Sequence, residues 1–320
     1  MKRKNIPQLI ILILLIAALA VCMLVMPMSP AAVAVMMVAA LSLQSAAQPH
    51  INSLAHAAEA LGLSINFSFA RSLGSIGYAI FTSIMGRVLN HFSPRLLPGL
   101  YLITLLMMAA LLSLFRTPPC VREKKDNAPG SSLMRNAAFM LFLTGLLCIC
   151  LNHTMIDAFM LQIMQSIGGG SAELGVAVAI AAIVEVPVMM LYPFIRRKLS
   201  IRTILILCGW AWFIKNLLIA FAASPVTVYA AQLLQSLGYA IYVPLGIDLV
   251  LRLLPEKDFL RGQALAGSAF TFGGVFATFA GGITMDALGV GNALKVMVLF
   301  SLAGAVLFTL SAMSKKLKKS

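Results

Sequence analysis

The sequence predicts an all-α, polytopic membrane protein with about ten transmembrane helices, on three observations. Hydrophobic residues make up 61% of the 320-residue chain and charged residues 11%, less than half the roughly 25% of a soluble domain. The mean hydropathy is +0.97. The apolar residues gather into runs near the roughly 20-residue length of a bilayer-spanning helix, and 22 of the 24 Lys and Arg fall in connectors or near run ends.

Segment 6–27 follows the basic start Met1-Lys-Arg-Lys. Its run exceeds the roughly 7–15 residues of a signal-peptide core, and Val21 ahead of Cys22 suits a lipoprotein cleavage site poorly, so it reads as an uncleaved first helix. Segment 30–50 comes after the short connector PMSP, which makes the two antiparallel neighbours. Segment 66–87 holds Arg71 inside its run, and segment 95–115 is apolar after Arg95. Residues 117–135 carry Pro118, Pro119, Pro129 and Gly130 among charges of both signs, the composition of a flexible linker. Six more runs follow: 136–163, with Asn152, His153 and Asp157; 175–195, with Glu185 two residues before Pro187; 202–222, with Lys215; 225–251, with Gln232 and Gln235 one turn apart; 262–285; and 292–313.

Short connectors alternate the orientation of these helices. Counted on that basis, 19 Lys and Arg lie on one side and Arg87, Arg95 and Lys295 on the other. The positive-inside rule then places both termini and the long linker in the cytoplasm of a multi-pass protein of the plasma or inner membrane. The expected organisation is a helical bundle over 1–116, a cytoplasmic linker over 117–135, a six-helix bundle over 136–314 and a basic tail over 315–320. Four helices before the linker and six after it make an uneven pair. Two bundles of six around a central loop form a regular pseudo-symmetric transporter, so the simplest reading is that two N-terminal helices are absent.

The +14 net charge is spread over connectors rather than gathered on one polar face, which argues against a nucleic-acid partner. The five cysteines form no CxxC pair and read as small core residues. There is no Gly-rich phosphate loop, nucleophile elbow, HExxH or paired intramembrane carboxylate, so neither an enzyme nor a cofactor or metal site is expected.

The informative residues are the charges stranded inside apolar runs. An ionisable side chain in hydrocarbon costs roughly 2.5–3.5 kcal/mol on insertion scales, and such residues usually face a cavity or a partner. Lys215 lies about two turns from either end of its segment and needs a partner, with Glu185 or Asp157 the natural one. Such a pair is either a proton-coupling element or a structural tie. Arg71 reads as a solute contact or as a cation snorkelling to headgroups. His153 and Asp157, four residues apart, share a helix face, and with Asn152 form either a hydrated solute-facing stripe or a helix–helix tie. Gln232 and Gln235 could bond a polyol or glue helices. Asp248 is expected to pair with Arg252 one turn on.

The run NFSFARSLGSIGYAIFTSIMGRV resembles the fifth helix of the lactose-permease-like branch of the major facilitator superfamily, through Arg71, Gly74, Ser75, Gly77 and Tyr78. EVPVMMLYPFIRRKLS, WFIKNLLIAF, QLLQSLGYAIYVPLGIDL and the run from Arg261 to Val290 resemble its eighth to eleventh helices, in order. The resemblance implies a major facilitator fold lacking its first two helices, so that residues 1–116 correspond to helices 3–6. It implies rocking-bundle transport of a small polar solute, a sugar or oligosaccharide, coupled to protons, by a monomer in the lipid bilayer. It implies that Arg71 and Tyr78 contact solute, with Asn52 standing where the family carries a carboxylate partner for that arginine. Gln235 and Gly238 stand where lactose permease carries a histidine and a glutamate. The expected solute contacts are therefore Arg71, Tyr78, Asn52, Asn152 and Gln235, and the expected coupling residues Glu185, Lys215, Asp157 and His153. Transport of a small aromatic acid, and a non-transporting remnant or assembly partner, are the alternatives.

Overall fold

The computed structural model describes residues 11–19, 96–114, 135–255 and 258–314 continuously, together with single positions between 21 and 88 and at 133 and 317. Among these residues all regular structure is helical. The chain divides into two compact units, one of Met1–Phe67 with His91–Asp126, the other of Ser68–Asn90 with Asn127–Ser320. Gly74 lines a cavity of the second unit.

In the first unit, helix α1 spans Leu96–Leu114. It packs Leu105 and Ala109 against Ile13, Ile16 and Ala17.

The second unit is built from α2 (Ala137–Ala158), α3 (Met160–Ser166), α4 (Ser171–Lys198), α5 (Ile201–Ala220), α6 (Pro225–Leu233), α7 (Ile241–Leu253), α8 (Phe259–Leu288) and α9 (Val290–Ala312). A π-helical turn, Ser236–Ala240, joins α6 to α7 in one span. Among the described residues, six spans are long and apolar enough to cross a membrane, matching the six expected after the linker. The chain is a multi-pass membrane protein.

The local sequence explains the element ends. Asn136 caps α2 by accepting the Phe139 amide at 3.4 Å, and Ser200 caps α5 by accepting the Thr203 amide at 3.2 Å. Glu173 in the first turn of α4 accepts the Gly170 amide at 2.7 Å, which satisfies an otherwise orphan donor at the positive end of the helix dipole. Pro225 opens α6, where its missing amide costs nothing. Gly289 closes α8 at φ 77°, a left-handed position that a side chain would strain.

The helix ends are tied as alternating orientation requires. Asn136 Nδ2 donates to the Leu253 carbonyl at 2.5 Å, joining the start of α2 to the end of α7. Arg202 Nε donates to the Ala312 carbonyl at 2.8 Å, joining the start of α5 to the end of α9 and placing a cation on the negative end of a helix dipole. Asp248 does not pair with Arg252 as expected. It accepts the Tyr192 hydroxyl at 2.7 Å and meets Arg196 Nε at 3.8 Å. A partner on a neighbouring helix offers a hydroxyl as well as a charge, which an i,i+4 arginine does not.

The core of the unit is the contact of α9 with α2 and α5. Phe142 stacks on Phe308 with centroids 5.6 Å apart. At the α2–α9 crossing, a Cβ on Gly304 would stand 2.5 Å from Ile149 Cγ1 and 2.7 Å from the Gly145 carbonyl oxygen. Only a residue without a side chain permits that approach, the small-residue packing common between membrane helices. At the same junction Ser301 Oγ accepts from Asn152 Nδ2 at 2.9 Å and from Asn216 Nδ2 at 2.6 Å. Outward, Phe272, Val275, Phe276 and Phe279 of α8 stand exposed, a face suited to hydrocarbon.

Candidate functional site

The second unit holds an open cavity of about 520 Å³, within the roughly 300–1,000 Å³ of small-molecule sites. Its wall draws on α2 (His153, Asp157), α4 (Val178, Ala181, Ala182, Glu185), α5 (Lys215), α6 and the π-turn (Gln232, Gln235, Tyr239), α8 (Phe270) and Gly74. An apolar surface with a few convergent polar groups is the usual make-up of a ligand site.

Lys215 is the most deeply placed of these charges. Helix α5 ends at Ala220, so the side chain stands only five residues from the helix end, closer than the sequence segment 202–222 implied. Direction rather than depth keeps it from headgroups. It is 1% exposed, and its Nζ donates to Gln235 Oε1 at 2.6 Å. The other end of that amide, Nε2, donates to Glu185 Oε1 at 3.1 Å. The expected Lys215–Glu185 pair is thus bridged: one amide presents its oxygen to the cation and its nitrogen to the carboxylate. An amide suits this place because it is both donor and acceptor while carrying no charge. All three groups are buried, where each such contact is stronger than in water.

The π-turn helps to set this geometry. The Ala240 amide reaches back five residues to the Gln235 carbonyl at 3.1 Å, and Pro244 four residues later lacks the amide that an α-helix would donate there. Such bulges occur mostly as single turns at functional sites. The Gly238 carbonyl accepts the Ile241 amide and also the Cys208 thiol at 3.2 Å, and Gly238 lies close against Trp212.

On α2, His153 Nε2 stands 3.5 Å from Asp157 Oδ2. The imidazole is buried, whereas the Asp157 side chain is 53% exposed. Trp212, Tyr239 and Phe270 surround the imidazole at centroid distances of 5.4, 5.9 and 6.5 Å. Among the described residues, His153 Nδ1 and Gln232 Oε1 are buried and find no hydrogen-bond partner.

The structure therefore brings together five of the expected residues: His153, Asp157, Glu185, Lys215 and Gln235. Asn152 is not among them; its amide is committed to Ser301 at the α2–α5–α9 junction, and it does not line the cavity. Arg71, Tyr78 and Asn52 lie outside the described residues. Phe270 and Tyr239 were not singled out from the sequence, because an aromatic residue in an apolar run looks the same whether it faces lipid or a cavity. Among the described residues no group of three or more His, Cys, Asp or Glu could hold a metal ion.

Residues 1–296 match the model of the "MFS_1 like family". The transporter YwbF of Bacillus subtilis (strain 168), itself described as uncharacterized, is 24% identical over 244 residues, which cover 75% of this chain. The chain spans 60% of that relative's length. Among solved structures, the nucleoside transporter NupG superposes with a TM-score of 0.74 at 13% identity, covering 97% of this chain and 84% of that one. The Escherichia coli fucose:proton symporter FucP superposes with a TM-score of 0.57 at 15% identity, with the same coverage. At these identities the structural likeness speaks for the fold alone, which is that of the major facilitator transporters.

Proposed function

The chain belongs to the MFS_1 like family, and we propose that it carries a small polar solute, a sugar or oligosaccharide, across the membrane in company with protons. The observation that carries this reading is the bridged chain Lys215–Gln235–Glu185 on the wall of a cavity of about 520 Å³. A buried cation and carboxylate held through one amide are costly for a merely structural tie, since well-packed apolar groups are often as stable or more so. They suit a site whose charge must change during a cycle.

In this proposal Glu185 takes up the proton. Protonation removes the negative charge around which Gln235 and Lys215 are arranged, loosening the tie between α4 and the α5–α6 pair. The solute occupies the same cavity, with Tyr239 and Phe270 as apolar walls for a ring and Gln235, His153 and Asp157 as polar contacts. Arg71 and Tyr78 belong to this site by their sequence pattern. Fucose and nucleosides, the solutes in the names of the two structural relatives, are ring compounds bearing several hydroxyls, which supports a solute of that kind.

The test is uptake of radiolabelled sugars into proteoliposomes under an imposed pH gradient, acid outside. Wild-type protein is expected to accumulate solute, and Arg71→Ala and Lys215→Ala to fall to background. Gradient-driven uptake at the wild-type level in both variants would overturn the assignment.

A further inference from the structure

Two buried atoms on the cavity wall have hydrogen-bonding capacity that the described protein does not use. His153 is 2% exposed and Gln232 2% exposed, and both line the cavity. Asp157 accepts hydrogen bonds and does not donate them, so the imidazole nitrogen facing it at 3.5 Å, Nε2, carries the hydrogen. In the neutral ring the other nitrogen, Nδ1, then offers a lone pair, and it is this atom that lacks a partner among the described residues. The unpartnered atom of Gln232 is its carbonyl oxygen, Oε1, also an acceptor. Leaving a buried acceptor unsatisfied is costly, so two on the cavity lining point to a ligand that supplies two donors.

A solute carboxylate is an acceptor only and would bring no donor to either atom, and the ammonium on the wall, Lys215, is already engaged with Gln235. A neutral hydroxylated ring would present O–H donors to both acceptors and a face to Tyr239 and Phe270.

We infer that His153 and Gln232 are specificity-determining residues: their open acceptors, Nδ1 and Oε1, select neutral hydroxylated solutes and reject carboxylates. The inference rests on the transport reading above. A site built to satisfy substrate hydroxyls discriminates strongly against analogues lacking them, because its own buried groups are then left unpaired.

Counterflow into proteoliposomes containing the full chain tests it, with radiolabelled glucose, lactose, uridine, gluconate and benzoate as probes. A neutral member of the panel is expected to exchange and gluconate and benzoate to fail. His153→Phe keeps an aromatic ring and Gln232→Met keeps length, and each is expected to raise the half-saturation concentration for that probe by about tenfold or more, the scale of one hydrogen bond to solute. Monodeoxy analogues of the exchanged probe read the same contacts in the unaltered protein, with at least one expected to bind about tenfold more weakly. Preferred exchange of gluconate or benzoate would sink the inference and leave transport standing. So would unchanged half-saturation in both folded variants, or a monodeoxy series with no weakened member. No exchange of any of the five probes would remove the transport reading and this inference together.

Discussion

Gln235 shows how much a single uncharged residue decides in this protein. Its amide separates Lys215 from Glu185 while bonding both, so the two charges stay linked without the short contact that would fix them as a permanent salt bridge. Gln235→Leu is expected to strip the buried Lys215 ammonium of the amide oxygen it donates to, a loss of about 3 kcal/mol or more on the scale of broken buried pairs. A lowered melting temperature in detergent, with the helical spectrum retained below it, is the predicted outcome; an unchanged melting temperature would mean that the bridge carries no strain of charge. The stranded charges themselves were legible in the sequence, because Lys215, Glu185 and Asp157 set a charge inside apolar runs. The bridge was not legible. Its members are 20 and 50 residues apart, and a glutamine among apolar residues reads equally well as helix glue.

At the scale of elements, the six spans of the second unit follow from run length and from caps that can be read directly, such as Asn136, Ser200 and Pro225. The interruptions do not. The π-turn at Ser236–Ala240 brings Gly238 against Trp212 and its carbonyl to the Cys208 thiol, contacts that no run length or cap in the sequence shows. Asn152 shows the same limit. Its place in the stripe with His153 and Asp157 suggested solute, but one residue's rotation on α2 turns it toward Ser301 instead. The crossing of α2 and α9 is the element-scale contact most exposed to test. Gly304→Ala places a methyl group 2.5 Å from Ile149 Cγ1 and 2.7 Å from the Gly145 carbonyl, and the two helices must part to admit it. A cost of about 1–3 kcal/mol is expected, as for other overpacked cores, and thermal unfolding of the purified variant measures it. A variant as stable as the parent would show that this crossing is looser than the packing indicates.

For the whole molecule, the sequence and the structure agree on a helical membrane protein of the major facilitator fold, and the order of the family-like helices along the chain made that legible. What order alone could not supply was the cavity, because its wall takes residues from α2, α3, α4, α5, α6, the π-turn and α8, and from Gly74. The central claim is that Glu185 links proton movement to solute movement through Gln235 and Lys215, while solute recognition lies with other groups of the same wall. Glu185→Gln separates these two roles, since it keeps a hydrogen-bonding carbonyl for Gln235 and removes the group that exchanges a proton. The most direct measurement compares, in one proteoliposome preparation, solute accumulation driven by a pH gradient with counterflow that needs no gradient. Glu185→Gln is predicted to lose accumulation and keep counterflow within a few-fold of the wild type; accumulation at the wild-type level would contradict the account.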